Sequence, residues 1–354
     1  MKASKIQANI IFSQQVTEEL QKIVSSYPNN QVFLLTETTP HELCLPRIQQ
    51  VIDENNIHVI CIEGGENNKT IASCEQVWQA LSAHGADRKS LLINIGGGVI
   101  TDLGGFVAST FKRGIDFVNI PTTLLSQVDA SLGGKTGVNF NGLKNEIGVF
   151  NEPVAVIIDT NFLRTIDHAN VLSGYAEMIK HGLIKSEQHL EELKKFDLEQ
   201  LDYVELERLI AQSNAIKEWH VVNDFRESGI RKALNFGHTV GHAFESFALH
   251  DGRPILHGHA VVYGMLVELY LSTKLCGFSE QDFQTLCSWL TDIYGKFEIE
   301  EKDYDELFEL MTHDKKNSAG QINFTLLNAI GEVQINQHCE AEMLRSAVAY
   351  YQQL

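Results

Sequence analysis

Asn94-Ile95-Gly96-Gly97-Gly98-Val99-Ile100-Thr101-Asp102-Leu103-Gly104-Gly105 follows an apolar strand, Leu91–Ile95, and runs into helix-forming sequence at Phe106-Val107-Ala108. Glycines between a strand and a helix let backbone N–H groups approach a pyrophosphate, whose charge the helix dipole favours. The spacing is not G-x-G-x-x-G, so the usual dinucleotide fingerprint is not matched. A glycine run alone would also serve as a structural turn.

Working outward, β-branched runs recur at Val32–Thr36, His58–Ile62, Asp116–Ile120 and Val154–Ile158, with amphipathic helical segments around 13–26, 41–53 and 69–84. This βαβα rhythm predicts a Rossmann-like, mostly parallel sheet covered by helices on both faces. Two further strand ends carry ligand-type residues. Gly64-Gly65-Glu66-Asn67-Asn68-Lys69-Thr70 is a second glycine turn with a charged pair, and Pro121-Thr122-Thr123 places hydroxyls after Ile120. Gly133-Gly134-Lys135-Thr136 looks like the end of a P-loop, but the earlier glycine is missing, since Asp129 and Ala130 lie there. A lysine on a glycine turn still suits a phosphate or carboxylate.

Past Asp167 the texture changes. Stretches 170–195, 198–222, 236–248, 258–275, 279–294 and 303–312 repeat apolar residues every three or four positions. Only Ile322–Leu327 and Val333–Ile335, joined through Ala329-Ile330-Gly331, read as a hairpin. The expected organisation is an α/β domain over 1–167 and a helical domain over 168–354.

The net charge of -18 argues against nucleic acid or an anionic membrane as partner, because both require a basic face. It leaves room for a small anion in a cleft lined by lysine and arginine. No apolar run reaches membrane-spanning length, and the N-terminus lacks a signal-peptide pattern, so a cytoplasmic location is expected. The six cysteines are scattered without a C-x-x-C pair, which suits reduced thiols.

Three elements of the helical half carry candidate metal ligands. Glu177 and Lys180 share a helix face in Ser173–Lys180. Asn235, His238 and His242 fall on one face of Leu234–His242, among small residues. His257 and His259 open a third segment, where a two-residue step turns His259 away from His257. One carboxylate and two imidazoles leave an open zinc position, as catalysis needs. His238 and His242, four apart, form an alternative chelating pair.

At these residues the chain resembles the 3-dehydroquinate synthase family. The matching blocks are GGGVITDLGGFVA, FKRG, PTTLLSQVDASLGGKTGVN, GLKNEIG, SGYAEMIKHGLI, ESGIRKALNFGHTVGHAFE, LHGHAVVYGM and DKKNSAG, in order from Gly96 to Gly320, with a weaker GGENNKT earlier. The resemblance implies NAD contacts from Glu66, Lys69, Gly97, Gly98, Val99, Asp102, Thr122, Thr123, Leu125, Lys144 and Thr165. It implies zinc or cobalt held by Glu177, His238 and His257, leaving His242 to substrate and proton transfer. Lys135, Lys180, Lys217, Arg231, Asn235 and His242 would be catalytic, and Asp129, Asn145, Arg113 and Lys316 would bind substrate. Arg113 would come from the partner subunit of a homodimer, and Lys315 is the alternative to Lys316. Thr101 stands where the family usually has glycine, adding bulk near the pyrophosphate. His259 and Phe225 replace acids, and Asp167 a proline.

The implied substrate, 3-deoxy-D-arabino-heptulosonate 7-phosphate, carries a carboxylate, a phosphate and several hydroxyls. The implied reaction is transient oxidation by NAD at C5, β-elimination of phosphate, reduction, ring opening and aldol closure to 3-dehydroquinate, within the shikimate pathway. The alternatives are another sugar-phosphate cyclase and a metal-dependent alcohol dehydrogenase of related fold. The dehydroquinate account requires Glu177, His238 and His257 to converge.

Overall fold

The computed structural model describes residues 8–141, 143–312 and 322–354, so Lys315 and Lys316 lie outside the described residues. The chain divides into two compact units. The first runs to Asp167 and takes in Leu201–Ala211; the second holds His168–Gln200 and Gln212 onward.

The first unit contains β1 (Asn9–Phe12), α1 (Val16–Val24), β2 (Val32–Glu37), α2 (Thr38–Leu43), α3 (Gln49–Glu54), β3 (His58–Ile62), α4 (Ile71–Ala83), β4 (Leu91–Gly96), α5 (Gly98–Thr110), β5 (Asp116–Pro121), β6 (Lys135–Phe140), β7 (Leu143–Phe150) and β8 (Ala155–Ile158). Six strands form one parallel sheet in the order β1-β8-β5-β4-β2-β3. Alternation along the strands supplies two cores. Leu34, Ile93, Val118 and Ile157 pack with Leu20 of α1 and Val51 of α3. Phe33, Leu35, Leu92 and Phe117 pack with Val77 and Leu81 of α4 and Leu103 and Val107 of α5. Helices therefore cover both faces, as the βαβα rhythm anticipated. Thr70 starts α4 by accepting from Ser73 N at 3.2 Å.

Two features of the first unit escaped the sequence reading. The four-residue β1 pairs with β8, Asn9 opposite Ala155. The lysine-bearing glycine turn opens an antiparallel hairpin, β6–β7, with Lys135 opposite Phe150.

The second unit holds α6 (His168–Lys185), α7 (Glu187–Lys195), α8 (Tyr203–Asn223) from Gln212 onward, α9 (His238–His250), α10 (His257–Leu275), α11 (Glu280–Tyr294), α12 (Tyr304–Thr312), an antiparallel pair β9 (Phe324–Ala329) and β10 (Glu332–Gln337), and α13 (Ala341–Gln353). The stretch 170–195 is two helices rather than one, because Ser186 leaves the helical region and caps α7 through His189 N at 3.2 Å. The opening turns of α8 belong with the first unit, where the Arg164 guanidinium lies 4.2 Å from the centre of the Tyr203 ring. No helix among the described residues is long and apolar enough to cross a membrane.

Candidate active site

Three helices of the second unit approach closely enough to share one cluster. A Cβ at Gly264 of α10 would stand 2.0 Å from Gly237 O, and one at Gly258 would stand 1.9 Å from Ser173 O. Only glycine permits either approach. Glu268 of α10, fully buried, then caps α9: Gly237 N donates to its Oε2 at 2.7 Å and Val240 N to its Oε1 at 3.3 Å. Gly237 has no side chain to cap the helix itself, and a carboxylate suits the positive helix end. This fixes where His238, the first residue of α9, begins.

Glu177, His238 and His257 come together there, their donor atoms all within 4.8 Å of one another. His238 Nε2 stands 3.4 Å and His257 Nε2 3.6 Å from Glu177 Oε1. These separations exceed a good hydrogen bond. Donors about 2 Å from a tetrahedral cation would stand about 3.3 Å apart, so the spacing fits metal ligation. Each ring is oriented by its other nitrogen: His238 Nδ1 meets Phe236 O at 3.1 Å, and His257 Nδ1 meets Glu245 Oε2 at 3.2 Å. Burial opposes charge on His257, but Glu245 and Glu177 outweigh it and push its pKa up to about 10. The same field that draws a proton draws a metal ion.

His242 is not among the three converging donors. Its ring centre lies 5.4 Å from that of His238 and 5.9 Å from that of His257, so it borders the cluster. His259 packs edge-on against Tyr294 at 5.4 Å and takes no place in the cluster. The other face of Glu177 is occupied by Lys180, whose Nζ pairs with Oε2. Lys180 (1% exposed), Lys217 (6%) and Arg231 (1%) are all buried basic side chains. Arg231 donates to Phe225 O at 2.7 Å. Asn235 donates from Nδ2 to Glu227 Oε1 at 2.7 Å, with Glu227 held at a left-handed φ of 58°.

In the first unit, the chain turns from β4 through Gly97 into α5, with Gly98 and Val99 half-buried at its N-terminus. Thr122 N donates to Gly96 O at 3.0 Å, and the Thr123 and Ser126 hydroxyls lie 2.9 Å apart, so both threonines border this turn. Lys69 Nζ reaches Asp102 Oδ2 at 2.5 Å and Asn145 Oδ1 at 2.6 Å. Asn139 Nδ2 donates to Glu66 Oε1 at 2.8 Å, while Asn139 Oδ1 accepts from Asn145 N at 2.9 Å. One network thus joins Glu66, Lys69, Asp102 and Asn145. Thr101 does not intrude on the turn. Its side chain is buried, and its hydroxyl donates back to Gly97 O (3.3 Å) and Gly98 O (3.2 Å). Leu125 and Asp129 are half-buried; Lys135, Lys144 and Thr165 are exposed. Arg113 is exposed too, on a turn with left-handed φ values at Lys112 (52°) and Arg113 (69°).

Residues 59–173 match the family described as 3-dehydroquinate synthase N-terminal, and residues 174–317 that described as 3-dehydroquinate synthase C-terminal. A 3-dehydroquinate synthase of Parabacteroides distasonis is 49% identical over 97% of this chain and 98% of its own length. One of Clostridium tetani is 36% identical over 94% of this chain and 89% of its own. The chain belongs to the 3-dehydroquinate synthase family. The fold is shared with a solved 2-epi-5-epi-valiolone synthase from Streptomyces hygroscopicus carrying NAD+ and Zn2+ (TM-score 0.87, 21% identity, covering 100% of this chain and 99% of that one). It is shared also with a 2-deoxy-scyllo-inosose synthase bound to carbaglucose-6-phosphate, NAD+ and Co2+ (TM-score 0.84, 22% identity, 96% of each chain).

Within this 3-dehydroquinate synthase fold, four polar residues went unread in the sequence. Glu245 and Glu227 contact His257 and Asn235. Asn139 is the hub of the Lys69 network. Glu37, at the carboxyl end of β2, accepts from Gly65 N at 3.2 Å and also from the Gly97 amide, while burial pushes its pKa up. It sits where the strand order reverses between β2 and β4, the place at which such sheets bind nucleotides. A lone acid after an apolar strand carries no signal of its own; only the sheet order marks it.

Proposed function

We propose that the chain is a 3-dehydroquinate synthase that uses NAD and a divalent metal, zinc or cobalt, to convert 3-deoxy-D-arabino-heptulosonate 7-phosphate into 3-dehydroquinate and phosphate. The observation carrying this reading is the trio Glu177, His238 and His257, with spacing suited to a tetrahedral cation. Bound there, the metal would acidify a substrate hydroxyl, and NAD would accept and return one hydride.

The chain's own residues divide the remaining work. Lys180, Lys217 and Arg231 place basic side chains away from bulk water, where attraction to a carboxylate or phosphate is least screened. Asn235, steadied by Glu227, presents an amide to a substrate hydroxyl. His242 borders the ligands without joining them, and proton transfer is assigned to its imidazole. In the first unit, the N-terminus of α5 at Gly97, Gly98 and Val99 would hold the pyrophosphate of NAD, and the Lys69–Asp102 pair with Glu66, Thr122, Thr123, Leu125, Lys144 and Thr165 would hold the rest. Residues 1–167 thus act chiefly as the nucleotide-binding domain, and 168–354 as the metal and substrate domain. Lys135, Asp129 and Asn145 extend the substrate contacts.

A homodimer fits two exposed features: Arg113 on its left-handed turn, and the apolar side chains Phe140, Leu143, Val149 and Phe150 on the β6–β7 hairpin. Six unpaired thiols suit the reducing cytoplasm.

The test is incubation of purified protein with the heptulosonate phosphate, NAD and zinc. Phosphate release without net growth of NADH absorbance is expected. Accumulating NADH would favour a dehydrogenase, and no release would defeat the assignment.

A further inference from the structure

We infer that Glu245 is a positioning residue for the metal ligand His257, and that it sets the metal affinity of the site. This rests on the reading of Glu177, His238 and His257 as ligands. Glu245 lies on α9, seven residues beyond His238, so His238, His242 and Glu245 follow one another along the same helix face. Its Oε2 meets His257 Nδ1 at 3.2 Å, across the α9–α10 contact. The Glu245 side chain is 12% exposed, which shields this hydrogen bond from competing water.

The chemistry follows from the tautomer. An imidazole ligates through one nitrogen only when the other carries the proton, and a carboxylate accepting from Nδ1–H holds the proton there. With a metal bound, Nε2 would be the ligating atom, and it stands 3.6 Å from Glu177 Oε1. The two histidines are served differently: His238 Nδ1 meets a backbone carbonyl, which no substitution can remove, whereas His257 depends on a side chain. His257 is also the more exposed ligand, at 28% against 11% for His238, and so has fewer packing restraints on its ring. Glu245 supplies the restraint that packing does not.

The test measures zinc affinity by competition with a chromophoric chelator, and records the visible spectrum of the cobalt-substituted protein. Glu245→Ala should weaken zinc binding about 10- to 100-fold and change the cobalt spectrum, while the circular dichroism of the metal-free protein stays that of the parent. Glu245→Gln keeps an acceptor oxygen for Nδ1–H, so its affinity should lie between parent and alanine variant. Should Glu245→Ala fold poorly, the glutamine variant's affinity and cobalt spectrum carry the test. Parent-like zinc affinity and cobalt spectrum in Glu245→Ala would overturn the inference, as would a glutamine variant no better than alanine. Glu177→Ala is measured alongside. If that variant keeps full zinc affinity, the ligand assignment itself fails; if it loses zinc while Glu245→Ala does not, only the positioning role fails.

Discussion

Gly264→Ala tests whether helix spacing governs the cluster. Its new Cβ would sit 2.0 Å from Gly237 O and 2.6 Å from Gly241 N, both backbone atoms that no rotamer change can move. Ordinary contact begins at 3.4 Å, so the carbonyl contact falls 1.4 Å short. α9 and α10 must separate or tilt by an amount of that order. His238 rides on the first turn of α9 and His257 on the first turn of α10, and both face Glu177. A site of this kind tolerates displacements of only about 0.5 Å before its function degrades. Overpacking typically costs about 1–3 kcal/mol, and a backbone obstacle places this case toward the upper end. Urea denaturation of the metal-free protein should show that loss, and chelator competition should show weaker zinc binding in the same sample. Parent-like stability together with parent-like zinc affinity would refute the argument that this glycine contact sets the ligand geometry.

His238→Ala should remove stoichiometric zinc and with it phosphate release, while the circular dichroism stays that of the parent; zinc retained at full stoichiometry would contradict the ligand role. Lys69→Met should weaken NAD binding by roughly tenfold or more, because a charged hydrogen bond contributes about 1.5–3 kcal/mol and Lys69 joins Asp102 to Asn145; equilibrium dialysis with NAD measures it, and unchanged affinity would count against the network. His220 carries a pH prediction. Burial holds its pKa below 6.5 despite the 2.8 Å contact with Ile216 O, and Lys185 and Lys180 press in the same direction as burial. The unfolded chain therefore takes up the proton first as pH falls through 6.5, so this residue makes the fold less stable below that pH and has no such effect above it. Urea midpoints of His220→Gln should fall less steeply with acidification than those of the parent, and parallel curves would argue against it.

Much of the fold was legible locally. An apolar run bounded by glycine, proline or asparagine marks a strand wherever it lands, so β2, β3, β4, β5 and β8 could be read without knowing their neighbours. Periodicity marked the helices of the second half as far as α12 for the same reason, while α13 went unread. The four residues of β1 are too few for alternation to register, and their partner β8 begins at Ala155, far along the chain. The hairpin β6–β7 hid behind glycines at 133 and 134 that read as a ligand turn.

The amino-acid chain alone determined which groups are available: a glutamate, histidines, lysines and glycine turns, each recognisable because its local spacing has a chemical use. Only the tertiary structure decided which of them meet. His242 shares the helix of His238 at chelating distance in sequence, yet it is His257, brought in on another helix through glycine contacts, that faces Glu177. Glu245, Glu227, Glu37 and Asn139 became visible only in three dimensions, because a carboxylate or amide acquires its role from what stands 3 Å away, and that neighbour is set by packing between distant segments rather than by adjacent sequence.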